Sequence, residues 1–150
     1  MNSSLHQDTT ADSANNEQQV LYFWLSIGAV LSAISILLGA FGAHGLKRIL
    51  NAYELGLIDT AVQYLMFHSL SICFISLLPL GFLHAQQVVS IFSRVNALLL
   101  AGCVLFSGSL CAYALTGAKW LVFLTPIGGS IFVVAWLWLA FICIRNRKKT

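Results

Sequence analysis

Four apolar stretches, each about as long as a bilayer is thick, constrain this chain more than any other feature. A helix needs about 20 apolar residues to cross the hydrocarbon core. Residues 20–43, 60–83, 95–115 and 120–144 each meet that length. The strands of a membrane barrel alternate in polarity over about ten residues, whereas these runs are apolar throughout. The expected fold is therefore an all-α integral membrane protein, a bundle of four transmembrane helices. Composition agrees: 59% of the 150 residues are hydrophobic, 9% are charged, and the mean hydropathy is +0.85. A soluble domain carries about a quarter charged residues, so an ordinary soluble globule is excluded. No aromatic-basic interleaving, zinc-ligand spacing or helix-turn-helix pattern points to nucleic acid. The partner this chain requires is the lipid bilayer.

Outside the spans, residues 1–19 are polar and hold Asp8, Asp12 and Glu17 but no Lys or Arg. A secretory leader begins basic and a mitochondrial presequence is Arg-rich, so this segment reads as a disordered cytoplasmic tail. Residues 145–150 form a basic cytoplasmic tail. Four spans put both termini and the second loop on one side, with Arg94, Arg145, Arg147, Lys148 and Lys149. The other side carries Lys47, Arg48 and Lys119. Five cations against three orient both termini to the cytoplasm. Between the first two spans, Leu46, Ile49, Leu50, Tyr53 and Leu57 recur at helical spacing, opposite Lys47, Arg48, Asn51 and Glu54. That pattern predicts a short amphipathic helix at the interface, either a plain connector or a lid.

Within the first span Gly28, Ser32, Ser35, Gly39 and Gly42 are spaced 4, 3, 4, 3 and keep to one face. Small residues let helices approach closely in lipid, so this stripe is a packing seam, within the bundle or between copies. Gly108, Gly128 and Gly129 read the same way. The polar residues of the spans fall near the loop end: Gln63, Tyr64 and His68 in the second, Ser107 and Ser109 in the third, Thr125 in the fourth, with His44 at the end of the first. Tyr64 and His68 share a face at i, i+4. Together these residues form a candidate polar pocket, with His68 at its floor and His44 at its rim. The other half of the bundle reads as plain apolar packing. His68 is open to two readings, a neutral histidine satisfied by a neighbour or a ligand- or proton-handling group. His44 is likewise open, as a surface histidine at a helix end or part of a shallow site.

Catalysis finds little support. A nucleophile needs a base and an orienting partner within hydrogen-bond reach, and no acid accompanies His68. His44 and His68 lie at different depths and are too few for a metal site. Cys73, Cys103, Cys111 and Cys143 lie in apolar runs without a CxxC, as small hydrophobes do. No catalytic residue, metal or cofactor is expected. A non-enzymatic accessory or structural role leads, with a second copy or another membrane protein as partner. A binder or transporter of a small solute or ion through the polar pocket is the alternative.

"LGAFGAHGL", "AVQYLMFHSL", "LFSGSLCAYAL" and "LTPIGGSIFVVAW" together resemble the YgdD/YwdK-like family of small bacterial inner-membrane proteins, a domain of unknown function with small eukaryotic transmembrane relatives. The resemblance spans residues 24–145 and covers Gly39, Gly42, His44, Gly45, Gln63, Tyr64, His68, Ser107, Gly108, Pro126, Gly128 and Gly129. It implies four spans in the bacterial cytoplasmic membrane and carries no activity, substrate, cofactor or catalytic residue with it. The amino-terminal tail is longer than typical members carry.

Overall fold

A computed structural model describes the backbone of residues 2–81 and 86–147, and side chains for residues 15–79 and 88–145. Five α-helices and three shorter helical pieces follow one another: α1 (Asn2–His44), a 3-10 turn (Leu46–Arg48), α2 (Ala52–Gly81), α3 (Gln86–Gly102), a π segment (Cys103–Gly108), α4 (Ser109–Thr116), a 3-10 turn (Lys119–Phe123) and α5 (Leu124–Arg147). The described residues include no strand. Four helical stretches are long and apolar enough to cross a membrane: Asn15–Arg48, Ala52–Pro79, Val88–Thr116 and Lys119–Arg145. The third span is thus α3, the π segment and α4 in one rod.

Several boundaries differ from the sequence reading. α1 continues as helix back to Asn2, where a disordered tail is expected; once a helix is nucleated, each added residue gains a hydrogen bond. The amphipathic stretch between the first two spans is not a separate helix. It divides into the 3-10 turn Leu46–Arg48 and the opening turns of α2. The divide falls at Asn51. Its side-chain Oδ1 accepts from the Glu54 backbone N–H at 3.0 Å, and Glu54 Oε2 accepts from the Asn51 N–H at 2.8 Å. This reciprocal capping box satisfies two donors that the first helical turn leaves free, so α2 starts well before its membrane portion. Residues 82–83 of the expected second span, with Lys148 and Lys149 of the basic tail, lie outside the described residues.

The other end of the third span is set by Gly117, at φ +68°. Its N–H closes on the Tyr113 carbonyl at 2.8 Å, a left-handed cap that costs an L side chain but not glycine. Pro126 sits in the first turn of α5, where a missing N–H is tolerated.

α2 and the third span make the centre of the bundle. In each, 39% of the most apolar window is buried, against 17% in the first and fourth spans. The core runs through Leu65, Ile72 and Ile75 of α2, Val95 and Leu99 of α3, Cys103, and Phe132 and Ala135 of α5. A smaller cluster of Leu46, Ile58 and Ala114 ties the first loop down onto α2 and α4. α1 packs along α2 through its small-residue stripe. A Cβ at Gly28 would stand 2.5 Å from Cys73 Sγ and 2.9 Å from the Ser69 carbonyl. Ser32 and Ser69 share a hydrogen bond at 2.8 Å, and Ser35 Oγ donates to the Val62 carbonyl at 2.9 Å. Gly39 and Gly42 face Val62 and Ile58 at ordinary contact distance or slightly less. The stripe therefore serves the α1–α2 contact within one chain.

Candidate functional site

His68 lies two to three turns into the membrane portion of α2 and is 4% exposed. Its ring stacks face to face on Phe132, centroids 3.5 Å apart and planes 8° apart. Phe67 meets it edge-on at 5.2 Å, and Tyr64 and Trp136 stand at 5.9 and 6.4 Å. Phe106 of the π segment closes the group, 4.4 Å from Tyr64 and 5.9 Å from Phe132. His68 Nδ1 is 2.8 Å from the Tyr64 carbonyl oxygen. A carbonyl only accepts, so Nδ1 carries a proton and donates it. The imidazole has one nitrogen tied to its own helix and its faces given to aromatic packing.

Two glycines admit this arrangement. A Cβ at Gly102 would lie 2.5 Å from the Phe132 ring, so its absence makes the seat in which Phe132 reaches His68. A Cβ at Gly128 would lie 2.5 Å from the Phe106 backbone nitrogen and 2.9 Å from the Leu105 carbonyl carbon, so α5 presses onto the backbone of the π segment itself. Gly102 is missed by the sequence reading; its signal, a lone glycine amid "LLLAGCVL", does not reveal what faces it. Gly129 meets Phe106 at 3.7 Å, and Gly108 is exposed with nothing within 4 Å of an added Cβ. Gly108 therefore plays no packing part. It ends the π segment instead.

The remaining pocket candidates do not converge. His44, at the end of α1, and Gln63 are exposed, and Tyr64 is 42% exposed. Gln63 neighbours Tyr64 in sequence, but a step of one residue turns about 100° around a helix, which carries it off the buried face. Ser109 and Thr125 do meet: their hydroxyls are 2.8 Å apart, and Ser109 Oγ donates to the Phe106 carbonyl at 3.0 Å. Ser107 is buried at 2% exposure, and its Oγ has no hydrogen-bond partner among the described residues. It is not bonded to His68. The polar residues thus fall into an aromatic-boxed histidine, a Ser–Thr bridge and a solitary serine.

The half of the bundle read as plain holds a polar pair instead. Asn96 of α3, 1% exposed, donates from Nδ2 to Ser76 Oγ at 3.0 Å, and Ser76 donates to the Ile72 carbonyl at 2.6 Å. The single Ser76 proton is thereby used, which orients the amide and leaves Asn96 Oδ1 buried without a partner. Ser76 and Asn96 come from "CFISLLPL" and "RVNALLLA", where nothing short-range marks them as neighbours. Among the described residues no group of three or more His, Cys, Asp or Glu could hold a metal ion, and the four cysteines are free.

A helical bundle whose buried polar groups are few and whose outer faces are apolar is a polytopic α-helical membrane protein. A family model described as "Protein of unknown function (DUF423)" matches residues 38–129, and the chain belongs to that family. It is 39% identical over 129 residues to the UPF0382 inner membrane protein YgdD of Escherichia coli strain K12, covering 85% of this chain and 93% of that protein. A UPF0382 membrane protein of Haemophilus influenzae is 38% identical over 126 residues, 83% of this chain and 96% of its own length. The UPF0382 membrane protein YwdK of Bacillus subtilis is 34% identical over 124 residues, 81% and 96%. No solved structure matches the chain.

Proposed function

We propose that this protein is a non-enzymatic accessory or structural component of the bacterial cytoplasmic membrane, with both termini in the cytoplasm. The observation that carries the reading is how the buried polar groups are used. Ser32 and Ser69 join α1 to α2, Ser35 bonds the Val62 carbonyl, Ser109 joins Thr125, and His68 bonds the Tyr64 carbonyl within a stack of rings. The serine and threonine bonds go into helix association, where interhelical hydrogen bonds add to close packing, and the His68 bond stays within α2. A nucleophile paired with a base within hydrogen-bond reach, which covalent catalysis needs, does not occur between Ser107 or Ser109 and His68. The solute-pocket alternative loses His44 and Gln63, which face outward. The cytoplasmic placement of the termini rests on the five-to-three cation bias.

Gentle purification followed by an absorption spectrum and native mass spectrometry tests the role. The expected result is no visible chromophore and no small molecule in fixed ratio, in the wild type and in His68→Gln alike. A co-purified small molecule retained by the wild type and lost from His68→Gln would establish the binding reading instead. A reporter fused after Thr150 is expected to be active in the cytoplasm, and periplasmic activity would reverse the orientation.

A further inference from the structure

A groove of about 320 Å³ opens between α1 and α3, lined by Asn16, Glu17, Val20, Val89, Ser90 and Ser93. That volume reaches the lower end of the range that holds small ligands, about 300–1,000 Å³. The neighbouring space against α2, beside Tyr22 and Leu77, holds about 60 Å³ and has no charged lining residue. The α1–α3 groove lies at the membrane boundary. The first span begins at Asn15 and the third at Val88. Both helices enter the bilayer here in the same direction, and Glu17 and Val89 line the groove at one level.

Arg94 is exposed and follows Ser90 by one turn on the same side of α3, about 6 Å deeper along the helix. Inward from water, the order is therefore an anion, serine hydroxyls, a cation, and then the apolar runs of both helices. One kind of ligand carries the complementary order. A phospholipid with a primary-ammonium headgroup has its ammonium outermost, its phosphate beneath and its chains below. Glu17 accepts charge-assisted bonds from an ammonium, with Asn16 and Ser93 as further acceptors, and an arginine fork donates to phosphate. Basic positions between membrane helices are where lipid headgroups bind. A trimethylammonium head offers Glu17 no N–H, and an anionic head without an amine leaves that carboxylate unpaired.

We propose that the α1–α3 groove docks a phospholipid with a primary-ammonium headgroup, the ammonium on Glu17 and the phosphate on Arg94. The groove is open along its side, so the lipid exchanges with the bilayer and does not travel with the purified protein in fixed ratio. The site rests on the order of groups from water inward. It therefore stands whichever side the termini occupy and whatever role the protein has in the membrane.

The test uses the full chain in nanodiscs of equal parts phosphatidylethanolamine and phosphatidylcholine. Each lipid in turn carries a photoactivatable diazirine near the head of one chain, and crosslinks are located by mass spectrometry of peptides. The ethanolamine probe is expected to label the segments around Val20 and Ser93 several-fold more than the choline probe. Labelling near Trp120, at the other end of the bundle, is the internal reference and should favour neither. Glu17→Gln should erase the preference at the groove, and Arg94→Gln should lower labelling there by both probes several-fold. Equal labelling by the two probes in the wild type, a preference that survives Glu17→Gln, or undiminished labelling in Arg94→Gln would overturn the proposal. Glycerophosphoethanolamine, the soluble headgroup, should not compete at millimolar concentration. If it abolishes the preference, the groove takes the free headgroup and the lipid assignment is wrong.

Discussion

At the scale of single residues, this bundle separates glycines that look alike in the sequence. Gly28 and Gly128 are held against neighbouring backbone, with a Cβ 2.9 Å from the Ser69 carbonyl in one case and 2.5 Å from the Phe106 nitrogen in the other. Backbone cannot step aside as a side-chain end can, so Gly28→Ala and Gly128→Ala should each destabilise by about 1–3 kcal/mol. Gly108 faces open space, and Gly108→Ala should be neutral or stabilise by up to about 1 kcal/mol. Thermal melts of the three variants in one detergent check the order. The Ser76–Asn96 pair makes a second residue-scale prediction. Ser76→Ala leaves the Asn96 Nδ2 buried without an acceptor and should cost about 1–3 kcal/mol. Adding Asn96→Leu removes the stranded amide and should recover most of that loss in a double-mutant cycle. Additive costs would show that the two side chains act independently.

At the scale of elements, the start of α2 and the shape of the third span carry the lesson. Asn51 and Glu54 cap α2 reciprocally, and either Asn51→Ala or Glu54→Ala should lower stability by about 0.5–2 kcal/mol. The loss should appear as faster amide exchange confined to residues 52–56, which peptide-level hydrogen exchange reads directly. An N-x-x-E signal is therefore present in the sequence, although Asn51 and Glu54 equally fit the polar side of an amphipathic helix. The π segment has no such signal. Its six residues, "CVLFSG", read as ordinary apolar helix, because the extra residue in the turn is fitted by what lies across from it: Phe132 seated at Gly102, and Gly128 pressed on Phe106.

At the scale of the whole molecule, α1 is pinned to α2 while α5 is pinned to the third span. With the Ser32 and Ser69 hydroxyls 2.8 Å apart, cysteines at those two positions would bring their sulfurs close together. Ser32→Cys with Ser69→Cys, in a background lacking the four native cysteines, should oxidise within one chain and shift its mobility on a non-reducing gel. A crosslink between chains, or none, would mean that the small-residue stripe serves a contact other than the one described.

The four-helix membrane class, the small-residue face of α1 and the inward placement of His68 were all legible in the sequence, because each follows from local quantities: run length, 3.6-residue periodicity, and the cost of an ionisable group among apolar ones. Only the tertiary structure decided which polar residues meet. Gln63 lies one step around the helix from Tyr64 and turns outward, His44 stops at the surface, and Ser76 finds Asn96 across the α2–α3 contact. Pairing between helices depends on their relative rotation and depth, set by packing summed over both surfaces, and no single stretch of chain contains that sum.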